Sequence, residues 1–396
     1  MKEVEMAKRF LPVFLSVLLI LLSCVHRSPP PKTKTEFLLM ASKSQTSKTV
    51  NLEEVLEKKK AVYRALKSLS SKSNIVIIYD ASGSMREKIG ESGTRKFEAA
   101  YEGLKQIGTL FQPSDNVRLL VFGSKKPSGI TNEGIILRKD YVRAVEASSD
   151  VELVYSSQRE GFNQKDFLAT IKFLGSEHPY IGDTPIGYSV LKAHQILRGT
   201  PNAKVILITD GEETGSLLAQ SISKDKAWEE RLRKKYANYD EITISAFESI
   251  KKLVEDKIHF SPIIYGLGGS MGDKSVREKE SQSIRNFYQK LATQSGSVYL
   301  EAVTSLELLN AFMDAEMMSL TYGLYTMERS KKDQLVAKGK IGVSLMVEDG
   351  RYLLKTDTEQ PFEQVVELRP QARNVYFFDI DKDGKLRIFR EGETGS

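Results

Sequence analysis

Four consecutive branched apolar residues, Ile75-Val76-Ile77-Ile78, run into Tyr79-Asp80-Ala81-Ser82-Gly83-Ser84-Met85, and no other stretch constrains this chain as strongly. An uninterrupted apolar run of this kind predicts a strand buried on both faces, as in a parallel sheet covered by helices. The run stops at a carboxylate, and two hydroxyls follow at alternate positions, with Gly83 letting the backbone turn sharply. Open α/β sheets bind ligands at the carboxyl ends of their strands. All three side chains are hard oxygen donors, suited to Mg²⁺, Mn²⁺ or Ca²⁺ rather than to zinc or copper. An ordinary strand-to-helix turn would also accommodate these residues, so the rest of the chain decides.

A second apolar strand, Ala203 to Thr209, ends in Thr209-Asp210-Gly211. Between the two lies Gly182-Asp183-Thr184-Pro185-Ile186-Gly187, followed by a helical stripe through Val190, Leu191 and Leu197. A Thr just before a helix-starting Pro puts a hydroxyl beside the positive end of a helix. Together, Asp80-x-Ser82-x-Ser84, Thr184 and Asp210 resemble the metal-ion-dependent adhesion site (MIDAS) of von Willebrand factor A (VWA) domains. The resemblance implies a divalent cation, Mg²⁺ with Mn²⁺ or Ca²⁺ as alternatives, held by these five residues, Asp210 reaching it directly or through water. It implies an α/β fold, a doubly wound, mostly parallel sheet flanked by helices in the Rossmann-like manner, over residues 72–318.

Strand and helix signals alternate through that region. Phe97, Ala100, Leu104 and Ile107 form a helical stripe, Asn116–Phe122 reads as a strand, and Gln164–Leu174 reads as a helix. Weaker extended patterning around Gly134–Leu137 and Val151–Tyr155 suggests edge strands or an insertion. Residues 216–257 form a long, charged helical stretch, expected to be an inserted helical hairpin carrying Trp228, Leu232, Tyr236 and Tyr239. Ile258–Leu267 and Val298–Leu300 read as further strands, and Leu306, Leu308, Leu309 and Phe312 lie on a closing helix. Short alternating strands with turns at Asp349-Gly350 and Asp383-Gly384 predict a small C-terminal antiparallel β-sandwich over 319–396. Asp379-Ile380-Asp381-Lys382-Asp383-Gly384 imitates the start of a calcium loop. Arg390 stands where that loop requires a bidentate Glu, so a hairpin turn is expected.

At the N-terminus, Lys8 and Arg9 precede an apolar run from Phe10 to Leu22, shorter than the roughly twenty residues a membrane-spanning helix needs. Leu21-Leu22-Ser23-Cys24 resembles the lipobox of bacterial lipoproteins. That resemblance implies a signal peptide over 1–24, a lipid on Cys24, and anchorage to a membrane of the bacterial cell envelope. An uncleaved anchor with an incidental cysteine is the alternative. Cys24 is the single cysteine, so no intramolecular disulfide forms. Residues 25–50, rich in Pro, Ser, Thr and Lys, read as a flexible tether. Residues 51–71 read as an amphipathic helix, packed on the following domain in preference to lying on a membrane.

The net charge of +6 carries no arginine-rich or aromatic-interleaved patch, so nucleic acid is not an expected partner. No Gly-x-x-x-x-Gly-Lys-Ser/Thr loop is present, so no nucleotide is expected, and His26, His178, His194 and His259 are scattered. The expectation is a lipid-anchored binding protein, not an enzyme, in which an exposed Asp or Glu of a partner protein completes the metal shell. One alternative is an envelope assembly scaffold whose ion is structural. A metal-dependent hydrolase is less favoured, because Ser82 stands where phosphoaspartate hydrolases carry a second Asp.

Overall fold

The structure is a computed structural model that describes residues 33–40, 52–70, 72–89, 93–124, 150–157, 161–182, 184–211, 213, 226–235, 237, 239–267, 274–327, 334–370 and 373–392. The leader with Cys24, the Gly134–Leu137 segment, and the side chains of Trp228, Leu232 and Tyr236 lie outside them. In chain order come β1 (Lys34–Met40), α1 (Leu52–Ser68), β2 (Asn74–Asp80), α2 (Lys96–Gly108), β3 (Asn116–Phe122) and β4 (Glu152–Ser156). Next are α3 (Gln164–Ile171), α4 (Ile186–Leu197), β5 (Ala203–Thr209), α5 (Lys226–Lys235), α6 (Tyr239–Ile242) and α7 (Ala246–Glu255). The α/β part closes with β6 (His259–Tyr265), α8 (Lys274–Gln294), β7 (Leu300–Ala302) and α9 (Ser305–Met317). There follow β8 (Thr321–Thr326), β9 (Leu335–Lys340), β10 (Leu345–Glu348), β11 (Gly350–Thr356), β12 (Glu363–Leu368), β13 (Arg373–Ile380) and β14 (Leu386–Arg390).

The large sheet has the order β4-β3-β2-β5-β6-β7. It is parallel except at β4, which pairs antiparallel on the edge. Helices cover both faces, so every residue of β2 is buried and its sequence is continuously apolar up to Asp80. Ile75, Ile77 and Tyr79 belong to the core under α2 and α9, whereas Val76 and Ile78 belong to the core under α4 and α7. Strand order reverses between β2 and β5, since β3 lies on one side of β2 and β5 on the other. A reversal of this kind opens a crevice at the carboxyl ends of the two strands, where open α/β sheets bind ligands. Asp80 ends β2, and Asp210 follows β5.

Two expectations are corrected. Residues 246–255 are not part of an inserted hairpin. They form α7, the crossover helix between β5 and β6, which buries Ala246, Ser249, Ile250 and Leu253 against α4 and the sheet. Among the described residues the additional helices are α5 and α6 alone. Second, residues 25–50 are not tether throughout. Lys34–Met40 forms β1, antiparallel to β10 and parallel to β13, with Phe37 and Leu39 fully buried. Surrounding Pro, Ser, Thr and Lys hide a short apolar run whose partners lie more than three hundred residues away.

The C-terminal strands therefore do not close a sandwich by themselves. One sheet, β12-β11-β8-β9, is wholly antiparallel; the other, β10-β1-β13-β14, takes β1 as an inner strand. The sheets face each other through Phe37 on Tyr322, with ring centroids 5.7 Å apart, and Phe362 on Phe378 at 5.6 Å. The Asp379–Gly384 stretch ends β13 and makes the hairpin turn toward β14. Asp381 Oδ1 accepts from the Asp383 and Lys385 amides at 3.0 and 2.9 Å, and Oδ2 accepts from Arg387. Helix α1 buries Leu56, Val62, Tyr63 and Leu66 and contacts both β13 and α9, so it packs on protein. Among the described residues no helix is long and apolar enough to cross a membrane.

Candidate metal centre

Backbone pairing continues past the strand ends and assembles three loops. The Ala81 amide donates to Phe122 O at 2.7 Å, and the Gly83 amide donates to Gly182 O at 3.1 Å. Gly123 adopts φ +75°, and a Cβ there would stand 2.4 Å from the Ser82 nitrogen. A Cβ on Gly182 would stand 2.8 Å from Gly123 Cα. Only glycine permits so close an approach of three backbone segments. That approach is what sets the Thr184 loop beside the Ser82 loop.

The five residues expected from sequence lie together at this end of the sheet. Asp80 Oδ1 accepts the Ser82 amide at 2.7 Å, and its Oδ2 accepts the Thr209 hydroxyl at 2.5 Å. The Ser82 and Ser84 hydroxyl oxygens are 3.0 Å apart, and Ser84 donates to Asp210 Oδ1 at 2.7 Å. A Cβ on Gly211 would lie 3.8 Å from Ser84 Oγ and 4.0 Å from Thr184 Oγ1, so the space beside Gly211 is lined by hydroxyls. Asp80, Ser82, Thr184 and Asp210 are buried, while Ser84 and Gly211 are half-buried and Gly83 is exposed. The open side of the hollow is therefore at Gly83, Ser84 and Gly211.

Burial, and after it the negative charge of Asp210, pushes the Asp80 carboxyl up to about 7, against the hydrogen bonds from Ser82 and Thr209. Lys96 Nζ lies 2.7 Å from Asp210 Oδ2 and 3.0 Å from Glu87 Oε2. Burial pulls that ammonium down, but Asp210 and Glu87 outweigh it and leave the pKa raised. Asp210 thus shares its ammonium with the exposed Glu87, and the buried Asp80–Asp210 pair is short of positive charge. Carboxylates plus hydroxyls are a donor set for a hard divalent cation. Among the described residues no group of three or more His, Cys, Asp or Glu side chains converges, so any ion held here would depend on the hydroxyls.

Four participants escape a reading of the sequence. Thr209 sits inside the strand run, where its hydroxyl has no visible partner until β2 and β5 pair. Lys96 opens α2, and a cation at the positive end of a helix is the available signal, because it needs a compensating anion. Glu213 accepts from the Gly187 amide at 2.8 Å and the Ala246 amide at 3.2 Å, capping the amino ends of α4 and α7 with one carboxylate. Tyr288 donates to Gly211 O at 2.7 Å and fixes the loop after Asp210.

No protein-family model matches the sequence, and no curated protein matches it. Similar solved structures include a von Willebrand factor type A protein from Catenulispora acidiphila, 13% identical over 76% of this chain and 66% of that one, with a TM-score of 0.38. A manganese-loaded TRAP protein from Plasmodium vivax is 13% identical over 75% of this chain and 94% of that one, with a TM-score of 0.37. The pilus adhesin SpaC from Lactobacillus rhamnosus GG is 12% identical over 81% of this chain, with a TM-score of 0.38. This chain spans just under two thirds of the first of these and 50% of SpaC. One of these similar structures, that from Catenulispora acidiphila, is a von Willebrand factor type A protein.

Proposed function

We propose that this chain is a cell-envelope binding protein, not an enzyme, that grips a partner protein through a divalent cation. Asp80, Ser82, Ser84, Thr184 and Asp210 would hold the ion, Mg²⁺ in preference to Mn²⁺ or Ca²⁺, and an Asp or Glu of the partner would complete its shell. The observation that carries this reading is the pair of buried carboxylates, Asp80 and Asp210, set against a hydroxyl-lined hollow. A buried carboxylate pair is unfavourable without compensating cations, and hard oxygens favour a divalent one. When bound, the ion would supply an electrophilic anchor for a carboxylate. The protein's own part is to fix the hydroxyls: Asp80 and Asp210 accept the Ser82 amide and the Ser84 hydroxyl and so orient both serines.

The anchoring part of the proposal rests on sequence. Leu21-Leu22-Ser23-Cys24 supports a lipid on Cys24, tested by metabolic labelling with a fatty-acid analogue that Cys24→Ser would abolish.

A pull-down from envelope extract tests the binding part. Partner capture is expected with Mg²⁺ and is expected to be lost on chelation and in Asp80→Ala. Capture that survives both contradicts the metal bridge. Complete burial of Asp80 favours a second reading, in which the ion only braces the loops of a scaffold. Mg²⁺ would then raise thermal stability while partner capture stays indifferent to it.

A further inference from the structure

We propose that Lys96 sets the metal affinity of this site, making the free site a weak binder that holds an ion tightly only when a partner carboxylate is added. The inference rests on the metal-bridged reading above and deepens it.

The Lys96 side chain is 7% exposed, and its stem is confined: a Cβ on Gly266 would fall 2.9 Å from Lys96 Cγ. The ammonium is thus held against Asp210 Oδ2 at 2.7 Å, while Asp210 Oδ1 is engaged by the Ser84 hydroxyl at 2.7 Å. With both oxygens engaged, Asp210 faces the hollow through the Ser84 hydroxyl. Helix stability does not explain a lysine here, since the first turn of α2 is the helix's positive end. The carboxylates do.

Charge balance gives the consequence. With both carboxyls ionised, as a bound cation would require, Asp80 and Asp210 contribute two buried negative charges and Lys96 one positive, leaving a net charge of minus one. Glu87, the other partner of Lys96, is 43% exposed and screened by water. A divalent cation bound beside this set leaves one uncompensated positive charge in a buried place, which is costly. One carboxylate from a partner cancels it. Without Lys96 the two aspartates would already neutralise the ion, and the partner would contribute no charge compensation.

Titration of the full chain with Mn²⁺ by calorimetry, with and without acetate as the minimal carboxylate, tests this. Lys96→Met keeps the stem and removes the charge, and Lys96→Gln serves as a second variant. Both are expected to bind Mn²⁺ at least about tenfold more tightly than the parent chain, from loss of the repulsive charge that touches Asp210. Acetate is expected to tighten Mn²⁺ binding in the parent chain and to have little effect in either variant. Thermal denaturation supplies a reading that general destabilisation would not move: the gain in Tm on adding Mn²⁺ is expected to be larger in the variants. Unchanged or weaker Mn²⁺ binding in both variants, with the parent chain binding normally, overturns the role of Lys96 and leaves the metal reading standing. Absence of Mn²⁺ binding in the parent chain and both variants overturns the two together.

Discussion

Thr209 donates its hydroxyl proton to Asp80 Oδ2 at 2.5 Å, so the last residue of β5 steadies the carboxylate that ends the neighbouring strand β2. Thr209→Val removes that donor at nearly constant volume. We expect a loss of about 1–3 kcal/mol in urea unfolding at pH 8, the cost of a buried charged acceptor losing a partner. With Asp80→Asn already in place the loss should shrink, because the two residues are coupled.

Asp80 itself predicts an unusual pH dependence. Its folded pKa is about 7 against an ordinary 3.8, so the folded chain binds more protons between those values. Stability in chelator should therefore fall as pH rises from about 4 through 7, by on the order of a few kcal/mol. Asp80→Asn should flatten that slope and raise Tm at pH 8 in chelator. It should also remove the Tm increase that Mg²⁺ gives the parent chain. Thermal melts over this pH range check all three.

Lys340 and His259 predict opposite arms elsewhere. Burial lowers Lys340 to about 8, so the cost of its buried charge is full below pH 8 and disappears as pH rises toward 10.5. Lys340→Met should raise Tm at pH 7, with a gain that shrinks by pH 10. Its hydrogen bond to Gly296 O is exposed, so little is lost there. Burial, then the Lys340 and Lys204 charges, holds His259 well below 6.5. The unfolded chain therefore gains a proton there as pH falls through 6.5, and stability drops. His259→Gln should reduce the loss measured between pH 7 and 5.

At the base of the α/β layer, Lys59 of α1 contacts Asp314 Oδ2 at 2.6 Å and donates to Asn310 Oδ1 at 2.7 Å on α9. Lys59→Ala leaves the half-buried Asp314 without its cation and should cost about 1–3 kcal/mol in urea unfolding. The double change Lys59→Met with Asp314→Leu should recover most of that loss.

Phe37 tests the recruitment of β1. It is fully buried between Tyr322 and Tyr376. Phe37→Ala should cost about 3–5 kcal/mol, and limited proteolysis should then cut first among the strands after residue 319. Equal protection in the two proteins would place β1 outside the sheet.

What the sequence made legible follows from locality. Residues 75–80 and 203–209 are buried on both faces, so their composition alone marks them as strands, and the oxygen-bearing residues follow immediately in the chain. The Thr184 loop was legible for the same reason, since a helix start sits next to it. The remaining participants depend on distance. Lys96 meets Asp210 across 114 positions, and Leu38 of β1 pairs with Val375. Neither pairing has a local periodicity to announce it. α7 was absorbed into a charged neighbourhood, although Ser245 and Glu248 form a capping box that marks its true start.

Calorimetric titration of the purified chain with Mg²⁺, beside Asp80→Ala, tests the central claim most directly. The account predicts one ion bound per chain and no binding in Asp80→Ala. Binding that survives Asp80→Ala, or no binding by the parent chain in the presence of acetate, would contradict it.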